Sequence, residues 1–259
     1  MSSQDGHVRY QHNFSRIIEG MYDASARTQK AAKVVAVLSD FLGKRGLKME
    51  SAQLLDIGCS TGILSTHYAQ HFGSVTGVDI DAEAVAHAAK TYPHPRLRFV
   101  LGDSMRLPFS DDSFDVATCT HIYEHVPDSS RLMSEIRRVL KPGGCCFFSA
   151  GNRFQWTEPH YQIPLLSVIP KPLAHHYMRW MKKGHHYYET HLSYWGLKRL
   201  VSGFELTDYT VEVVRDPTRF AATDMLQPHS LKQRLVLAVL KTAYWICPTY
   251  IWVLRKPAA

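Results

Sequence analysis

One segment sets the architecture of this chain: Leu54-Leu55-Asp56-Ile57-Gly58-Cys59-Ser60-Thr61-Gly62-Ile63-Leu64-Ser65. A short apolar run, a turn of small residues and a helix-forming stretch predict a strand, a ligand-binding loop and a helix. Gly58 and Gly62 allow a tight turn and let backbone N–H groups approach a ligand closely. Asp56 precedes the turn and could hold a cationic group. The end of such a strand is where open α/β sheets bind their ligands.

The spacing of the two glycines argues against a dinucleotide site. A nicotinamide or flavin fingerprint has G-x-G-x-x-G at this turn, whereas Gly58 is followed by Cys59, Ser60 and Thr61 before Gly62. The loop therefore predicts a nucleoside ligand without a pyrophosphate.

Two further strands are predicted to end beside a carboxylate. Asp79 closes the run Val75–Asp79 and follows the loop by about 20 residues, the separation at which an acid reaches the ribose hydroxyls. The run Leu97–Leu101 leads into Asp103, which could accept the exocyclic amine of an adenine. Three acids at three strand ends predict one nucleoside site.

Four segments resemble the class I S-adenosylmethionine-dependent methyltransferases, in the group that includes quinone, sterol and small-molecule methylases (methyltransferase type 11). They follow one another at the family's spacing and cover roughly residues 50–150. Ser60 is a departure, because the family often has glycine there. The matching segments are LLDIGCSTG, VTGVDID, LGDSMRLPFSDDSFDVATCTHIYEHVPD and LMSEIRRVLKPGG.

The resemblance implies an α/β fold with a Rossmann-like, seven-stranded, mostly parallel sheet, helices on both faces, N-terminal helices and a helical cap insertion. It also implies S-adenosyl-L-methionine as the cofactor and S-adenosyl-L-homocysteine as the product. The positions that match the family's cofactor site are Asp56, Gly58, Cys59, Ser60, Gly62, Asp79, Ile80, Gly102, Asp103, Ser104, Met105 and Thr120.

The chain is predicted to divide into four parts. N-terminal helices over 1–50 precede the cofactor-binding core, 51–151. Residues 152–192 form a substrate cap, because this stretch is dense in proline, aromatic residues and histidine and too long for a connecting loop. Residues 193–259 return to the sheet, with a strand over 204–214, an amphipathic helix and a last antiparallel strand.

The aromatic cap favours a small, apolar or ring-bearing acceptor such as a quinone, polyketide or lipid-linked sugar. Transfer to oxygen is favoured, with nitrogen and carbon left open. A non-catalytic member that binds the nucleoside as a structural or regulatory ligand is the alternative. Arg27 is a further candidate for lining the pocket. The residues predicted to contact the acceptor are Tyr10, Tyr22, His125, Trp156 and Tyr161.

His121 is the predicted catalytic base, because it is titratable near neutral pH and directly follows the strand beside the methyl group. It could instead only pack, or bind the carboxylate end of the cofactor. His121, Glu124 and His125 also resemble the Glu-x-x-Glu-His metal motif of some quinone O-methyltransferases, with histidine in the first position. Since Glu-His is widespread in the family without metal, we predict no metal and a role in fixing the loop.

The net charge of +7 is concentrated near the C-terminus, where residues 171–259 carry 13 Lys+Arg against 6 Asp+Glu. No nucleic-acid-binding module accompanies it, so we predict no nucleic-acid partner. This charge is compatible with contact with an anionic surface such as a membrane, with an anionic substrate, or with a solvated basic face. The amphipathic stretch Ser230–Ile246 is too short to span a bilayer but could pack on the domain or lie on lipid.

The cysteines are odd in number and lack a C-x-x-C pair, so they are predicted to be reduced thiols. The N-terminus is polar and contains Asp5 and Glu19, which is unlike a secretory or transit peptide. We therefore expect a cytoplasmic protein. Peripheral contact with an anionic membrane through its C-terminal part is a separate hypothesis.

Overall fold

The computed structural model describes residues 22–258. Within that range the main sheet contains β1 (Gln53–Ile57), β2 (Ser74–Asp79), β3 (Leu97–Leu101), β4 (Phe114–Thr120), β5 (Leu140–Gly151), β8 (Glu205–Asp208) and β9 (Thr249–Arg255). Their order is β3-β2-β1-β4-β5-β9-β8. Strands β1 to β5 pair in parallel, while β9 runs antiparallel to both β5 and β8. This confirms the predicted seven-stranded, mostly parallel sheet.

Helices lie on both faces of the sheet, as predicted. Successive strand residues point to opposite faces, so two neighbouring residues of β1 belong to different apolar clusters. Leu54 shares one cluster with residues of 31–42, 64–72 and 209–213, and Leu55 shares the other with residues of 132–140, 197–201 and Leu240. The helices are α1 (Ala24–Gly43), α2 (Ile63–Tyr68), α3 (Ala82–Thr91), α4 (Ser129–Val139), α5 (Lys171–Trp180), α6 (Tyr194–Leu200), α7 (Thr210–Arg215) and α8 (Leu231–Thr242), with 3₁₀ turns at Met49–Ser51 and Tyr244–Ile246. The part of the predicted N-terminal helical region that precedes residue 22 lies outside the described residues.

Most of the longer helices begin at a residue that caps them. In five helices, the side chain of the residue before the first turn accepts a hydrogen bond from a backbone N–H group of that turn. These residues are Asp23 for α1, Asp81 for α3, Asp128 for α4, Ser193 for α6 and Ser230 for α8. These short polar side chains satisfy donors that have no partner inside the helix. Local sequence therefore places most helix starts.

The strand predicted over 204–214 is wrong in its second half. The strand is only β8, and the β-branched run that follows it forms α7. Gln233 of α8 is buried and donates from Nε2 to the carbonyls of Val214 and Arg215, at 2.8 and 3.1 Å. Because α8 packs against α7 and satisfies its last carbonyls, tertiary contacts override the strand propensity of the valines.

Residues 152–192 build a small unit at the carboxyl edge of the sheet. It contains the hairpin of β6 (Thr157–Glu158) and β7 (Ile163–Pro164), followed by α5. A separate apolar cluster holds it together, formed by Ile163, Leu166, Ala174, Met178 and Tyr187.

Gly62 is a position of the loop where a side chain would meet both backbone strain and crowding. Its φ is +82°, and a Cβ there would lie 2.7 Å from both Ala88 Cβ and Phe99 Cζ. Gly46 has a similar φ of +69° but no atom within 4 Å of such a Cβ. A comparison of substitutions at Gly46 and Gly62 therefore distinguishes the cost of backbone strain from the cost of crowding.

We expect Gly46→Ala to lower the free energy of unfolding by about 1 kcal/mol, from the left-handed backbone alone. Gly62→Ala should lower it by a further 1–3 kcal/mol, roughly, because the methyl group overpacks the contact with α3 and β3. Urea denaturation of both variants measures the difference. Equal losses would show that crowding at Gly62 is relieved without cost.

Candidate active site

A cavity of about 340 Å³ lies at the carboxyl ends of β1 to β4, under the β6–β7 hairpin. It gathers most of the residues that the sequence predicted for the cofactor. Those lining it are Asp56, Gly58, Ser60, Asp79, Ile80, Gly102, Ser104 and Thr120. His121 and His125 line the same cavity, together with Arg27 and Lys30 from α1 and Pro159 and His160 from the hairpin.

The carboxylate of Asp56 is buried and holds the first loop in place. Its oxygens accept hydrogen bonds from Ser65 Oγ at 2.6 Å and Thr118 Oγ1 at 2.7 Å. Burial raises the pKa of this carboxyl, and the two hydroxyls oppose the rise. Asp56 thus joins β1 to α2 and β4 while it lines the cavity beside Arg27.

Asp79 ties the loop to the second strand. Its Oδ2 accepts from the Ser60 backbone N–H at 2.8 Å, and its Oδ1 accepts from the Asp81 N–H at 2.9 Å. Burial raises the pKa of Asp79, and the backbone donors lower it again. Ser60 itself adopts a φ of +48°, the conformation that favours glycine and is uncommon for serine.

Four predicted cofactor residues do not line the cavity. Cys59 is buried below the loop, where Gly77 leaves room for its side chain, and Gly62 is covered by α3 and β3. The Asp103 carboxylate accepts a hydrogen bond from the Met105 backbone N–H at 2.7 Å. Met105 packs against the apolar core on the α4 side. These residues shape the loops that carry their cavity-lining neighbours.

His121 sits directly after β4 with a φ of +55°. Its Nδ1 lies 3.2 Å from Oε1 of the buried Glu124. Burial lowers the pKa of His121, and the nearby Lys30 lowers it further, against the opposing effect of Glu124. A neutral His121 that donates Nδ1–H to this carboxylate presents an unprotonated Nε2. The arrangement suits a proton acceptor.

His160 was not singled out from the sequence, yet it is held in a similar way. Its Nδ1 lies 2.8 Å from Oε1 of Glu158, which is fully buried. The other Glu158 oxygen accepts the backbone N–H groups of His160 and Tyr161, both at 2.8 Å. Although burial lowers the pKa of His160, its hydrogen bond to Glu158 and the carboxylate's charge outweigh burial and raise it. The short spacing Glu158-Pro159-His160 was the sequence signal.

His125 contributes a neutral ring to the same region. Burial lowers its pKa to about 4. Its Nδ1 lies 3.8 Å from Glu189 Oε1, and its ring meets that of His160 edge to face at 4.8 Å between centroids. His125 therefore joins the loop after β4 to the cap.

Two cations of α1 face the cavity. Arg27 was anticipated from the sequence, whereas Lys30 was not, although positions three apart share one face of a helix. Burial, together with the charge of the adjacent Arg27, lowers the pKa of Lys30 to about 8. Burial also lowers the pKa of Arg27, against the attraction of Asp56. A pair of partly desolvated cations is suited to bind a carboxylate.

The predicted acceptor residues are dispersed. Of those described, only His125 lines the cavity. Tyr22 is exposed with its ring against His87, and Trp156 is 73% exposed. Tyr161 packs edge to face on Tyr187 in the cap cluster. Tyr10 lies outside the described residues.

Among residues 22–258, no group of three or more histidine, cysteine, aspartate or glutamate side chains is arranged to hold a metal ion. In the segment that resembles the metal motif, Glu124 is engaged by His121, and His125 faces Glu189.

Comparison with known proteins places this geometry in a family. A family model described as a methyltransferase domain matches residues 55–148. The ubiquinone biosynthesis O-methyltransferase of Idiomarina loihiensis is 28% identical over 202 residues, covering 76% of this chain and 79% of the relative. The protein of the same name from Pseudomonas entomophila is 30% identical over 168 residues, covering 62% and 68%.

A solved S-adenosylmethionine-dependent methyltransferase from Methanosarcina mazei shares the fold. Its TM-score is 0.52 at 20% identity, and the match covers 81% of this chain and 94% of that one. The family model, the relatives and the solved structure are all methyltransferases, which agrees with a cavity at the carboxyl ends of the strands. S-Adenosylmethionine is the cofactor. The chain belongs to the class I S-adenosylmethionine-dependent methyltransferases, in the methyltransferase type 11 group.

Proposed function

We propose that this enzyme methylates an oxygen of a small, ring-bearing, quinone-like acceptor. The observation that carries the proposal is that a single cavity is lined both by the cofactor loops and by the imidazoles of His121, His125 and His160. The relatives named as ubiquinone biosynthesis O-methyltransferases support the same acceptor class. No feature of residues 22–258 favours the non-catalytic alternative.

The residues around the cavity fit the cofactor. S-Adenosylmethionine supplies an electrophilic methyl group on a sulfonium. In our proposal Asp79 accepts the ribose hydroxyls, Gly102 and Ser104 lie along the adenine, and Arg27 with Lys30 holds the carboxylate. Thr120 Oγ1 is buried in this lining and has no hydrogen-bond partner among the described residues, which leaves it for a polar group of the ligand.

Methyl transfer is an in-line displacement, so most of the rate comes from alignment of the acceptor oxygen with the methyl group. The acceptor proton must leave as the new C–O bond forms. We assign it to Nε2 of His121, since Glu124 holds the other ring nitrogen. His160, held by Glu158 across the cavity, is the competing candidate.

Asp79→Ala should weaken the binding of S-adenosylhomocysteine by about 2 kcal/mol or more, because charge-assisted hydrogen bonds to the ribose are lost. Isothermal titration calorimetry measures the affinity. Glu83→Gln is the matched control, since it removes a negative charge from the exposed first turn of α3 without touching the cavity. Unchanged affinity in a folded Asp79→Ala protein would remove the ribose assignment.

His121→Ala should reduce turnover by roughly 10²-fold to 10⁴-fold, the range for loss of a general base, with little change in cofactor affinity. Single-turnover assays with a phenolic acceptor, alongside calorimetry, separate the two effects. If His121→Ala and His160→Ala both turn over as the wild type does, alignment alone accounts for the rate. Inhibition by a chelator would instead point to a metal.

The pH profile distinguishes the two histidines, because a base must be unprotonated to act. Burial lowers the pKa of His121 below 6.5, so a rate that depends on it persists at pH 6.5 and falls only at lower pH. The pKa of His160 is raised above 6.5. As the pH is lowered, a rate that depends on this histidine therefore starts to decline before pH 6.5 is reached. The measurement is kcat/KM against pH for the wild type and both variants.

A further inference from the structure

A row of apolar side chains is exposed along α8. Leu231, Leu235 and Val239 are 69%, 58% and 47% exposed, and their spacing of four residues places them on one side of the helix. Gln233 and Leu240 on the opposite side are buried and attach the helix to the body of the protein. The exposed row is therefore not needed for packing α8.

Two exposed tryptophans lie beyond the C-terminal end of α8. Trp245, in the 3₁₀ turn that follows, stacks on Trp195 of α6 with 5.7 Å between ring centroids. The two rings remain 41% and 57% exposed. We call Leu231, Leu235, Val239, Trp195 and Trp245 the α8 face. Tryptophan at the border of an apolar surface is typical of membrane interfaces, where an apolar ring and a polar N–H are both accommodated.

Cations border the α8 face, and acids are absent from its sequence. Arg234 and Lys241 project from one side of the apolar row and Lys232 from the other, by the helical spacing. Arg234 and Lys241 form no ion pair within residues 22–258. No Asp or Glu follows Asp224 in the chain. The charge of this face therefore complements an anionic surface.

The tryptophan end of the α8 face meets the carboxyl edge of the sheet, where the cavity also lies. Asn152, at the end of β5, donates from Nδ2 to the carbonyls of Trp245 and Cys247, at 2.8 and 2.9 Å. Strand β9 starts beside it, with Thr249 paired to Gly151. This connection fixes the tryptophan end of the face on the active-site side of the molecule.

None of the helices in the described part of the chain is long and apolar enough to cross a membrane. We propose that the α8 face docks on the surface of an anionic lipid bilayer, with the leucines and tryptophans among the acyl chains and the cations at the headgroups. A second copy of this chain is a poorer occupant, because a symmetric contact brings Arg234 and Lys241 against an equally basic surface. The consequence for catalysis, which rests on the proposed function, is that an apolar acceptor reaches the cavity from the lipid.

The test is sedimentation of the full-length protein with vesicles, which requires no methyl transfer. Vesicles of phosphatidylcholine alone are compared with equal mixtures of phosphatidylcholine and phosphatidylglycerol, at low and high salt. We expect binding to the anionic vesicles, weakened by salt, and little binding to the neutral ones. Arg234→Gln combined with Lys241→Gln should lower the vesicle affinity about tenfold or more.

Leu235→Glu combined with Val239→Glu should abolish vesicle binding, because the double substitution places negative charge in the apolar row without disturbing the core. The matched control is Leu47→Glu with Lys48→Gln. It makes similar changes at exposed positions before β1, on the amino edge of the sheet. The control should bind vesicles as the wild type does, and cofactor affinity should be unchanged in every variant.

Three results would overturn the proposal. They are equal sedimentation with both kinds of vesicle, absence of sedimentation with either, and wild-type binding by the α8 variants. Light scattering separates the rival occupant: a wild-type dimer that Leu235→Glu with Val239→Glu converts to a monomer would assign the face to a second copy. Vesicle binding without methylation of any quinone-like acceptor would refute the proposed function and leave the membrane surface standing.

Discussion

The site depends on the hydrogen bonds that the buried carboxylate of Asp56 accepts from two hydroxyl groups. A buried carboxylate without partners is strongly unfavourable, so Ser65 and Thr118 must stay within hydrogen-bond distance of it. This requirement joins α2 and β4 to the end of β1 and leaves the intervening loop little freedom. Asp79 then fixes the same loop to β2 through the Ser60 backbone N–H. The cofactor side of the cavity is thus built largely from backbone held by carboxylates.

The side of the cavity that carries the histidines is built on the same principle with different residues. Glu124 and Glu158 are both buried, and each orients one imidazole toward the cavity from a different element. The cap is tied back to the loop after β4, since the Thr190 N–H donates to the Glu124 carbonyl at 2.8 Å. Two histidines from distant parts of the chain therefore share one cavity.

Much of this architecture could be predicted from local sequence. The apolar run that ends in small residues at Gly58–Gly62 predicted the strand, loop and helix, because periodicity and turn chemistry act over a few residues. The alternation of strands and helices predicted the parallel sheet, and the resemblance of four ordered segments to a known family predicted the cofactor. The basic, amphipathic segment over 230–246 was also evident, since charge and helical spacing are properties of the sequence alone.

Other features arose only from contacts between distant residues. The valines of α7 favour a strand, yet they form a helix because Gln233 of α8 binds its last carbonyls. Trp156 and His160 belong to one short segment, but the pairing of β6 with β7 leaves the tryptophan in solvent and turns the histidine to the cavity. Lys30 reaches the same cavity from α1. Which side chain faces a site depends on packing across the whole fold, and a local pattern such as the spacing of Arg27 and Lys30 does not specify it by itself.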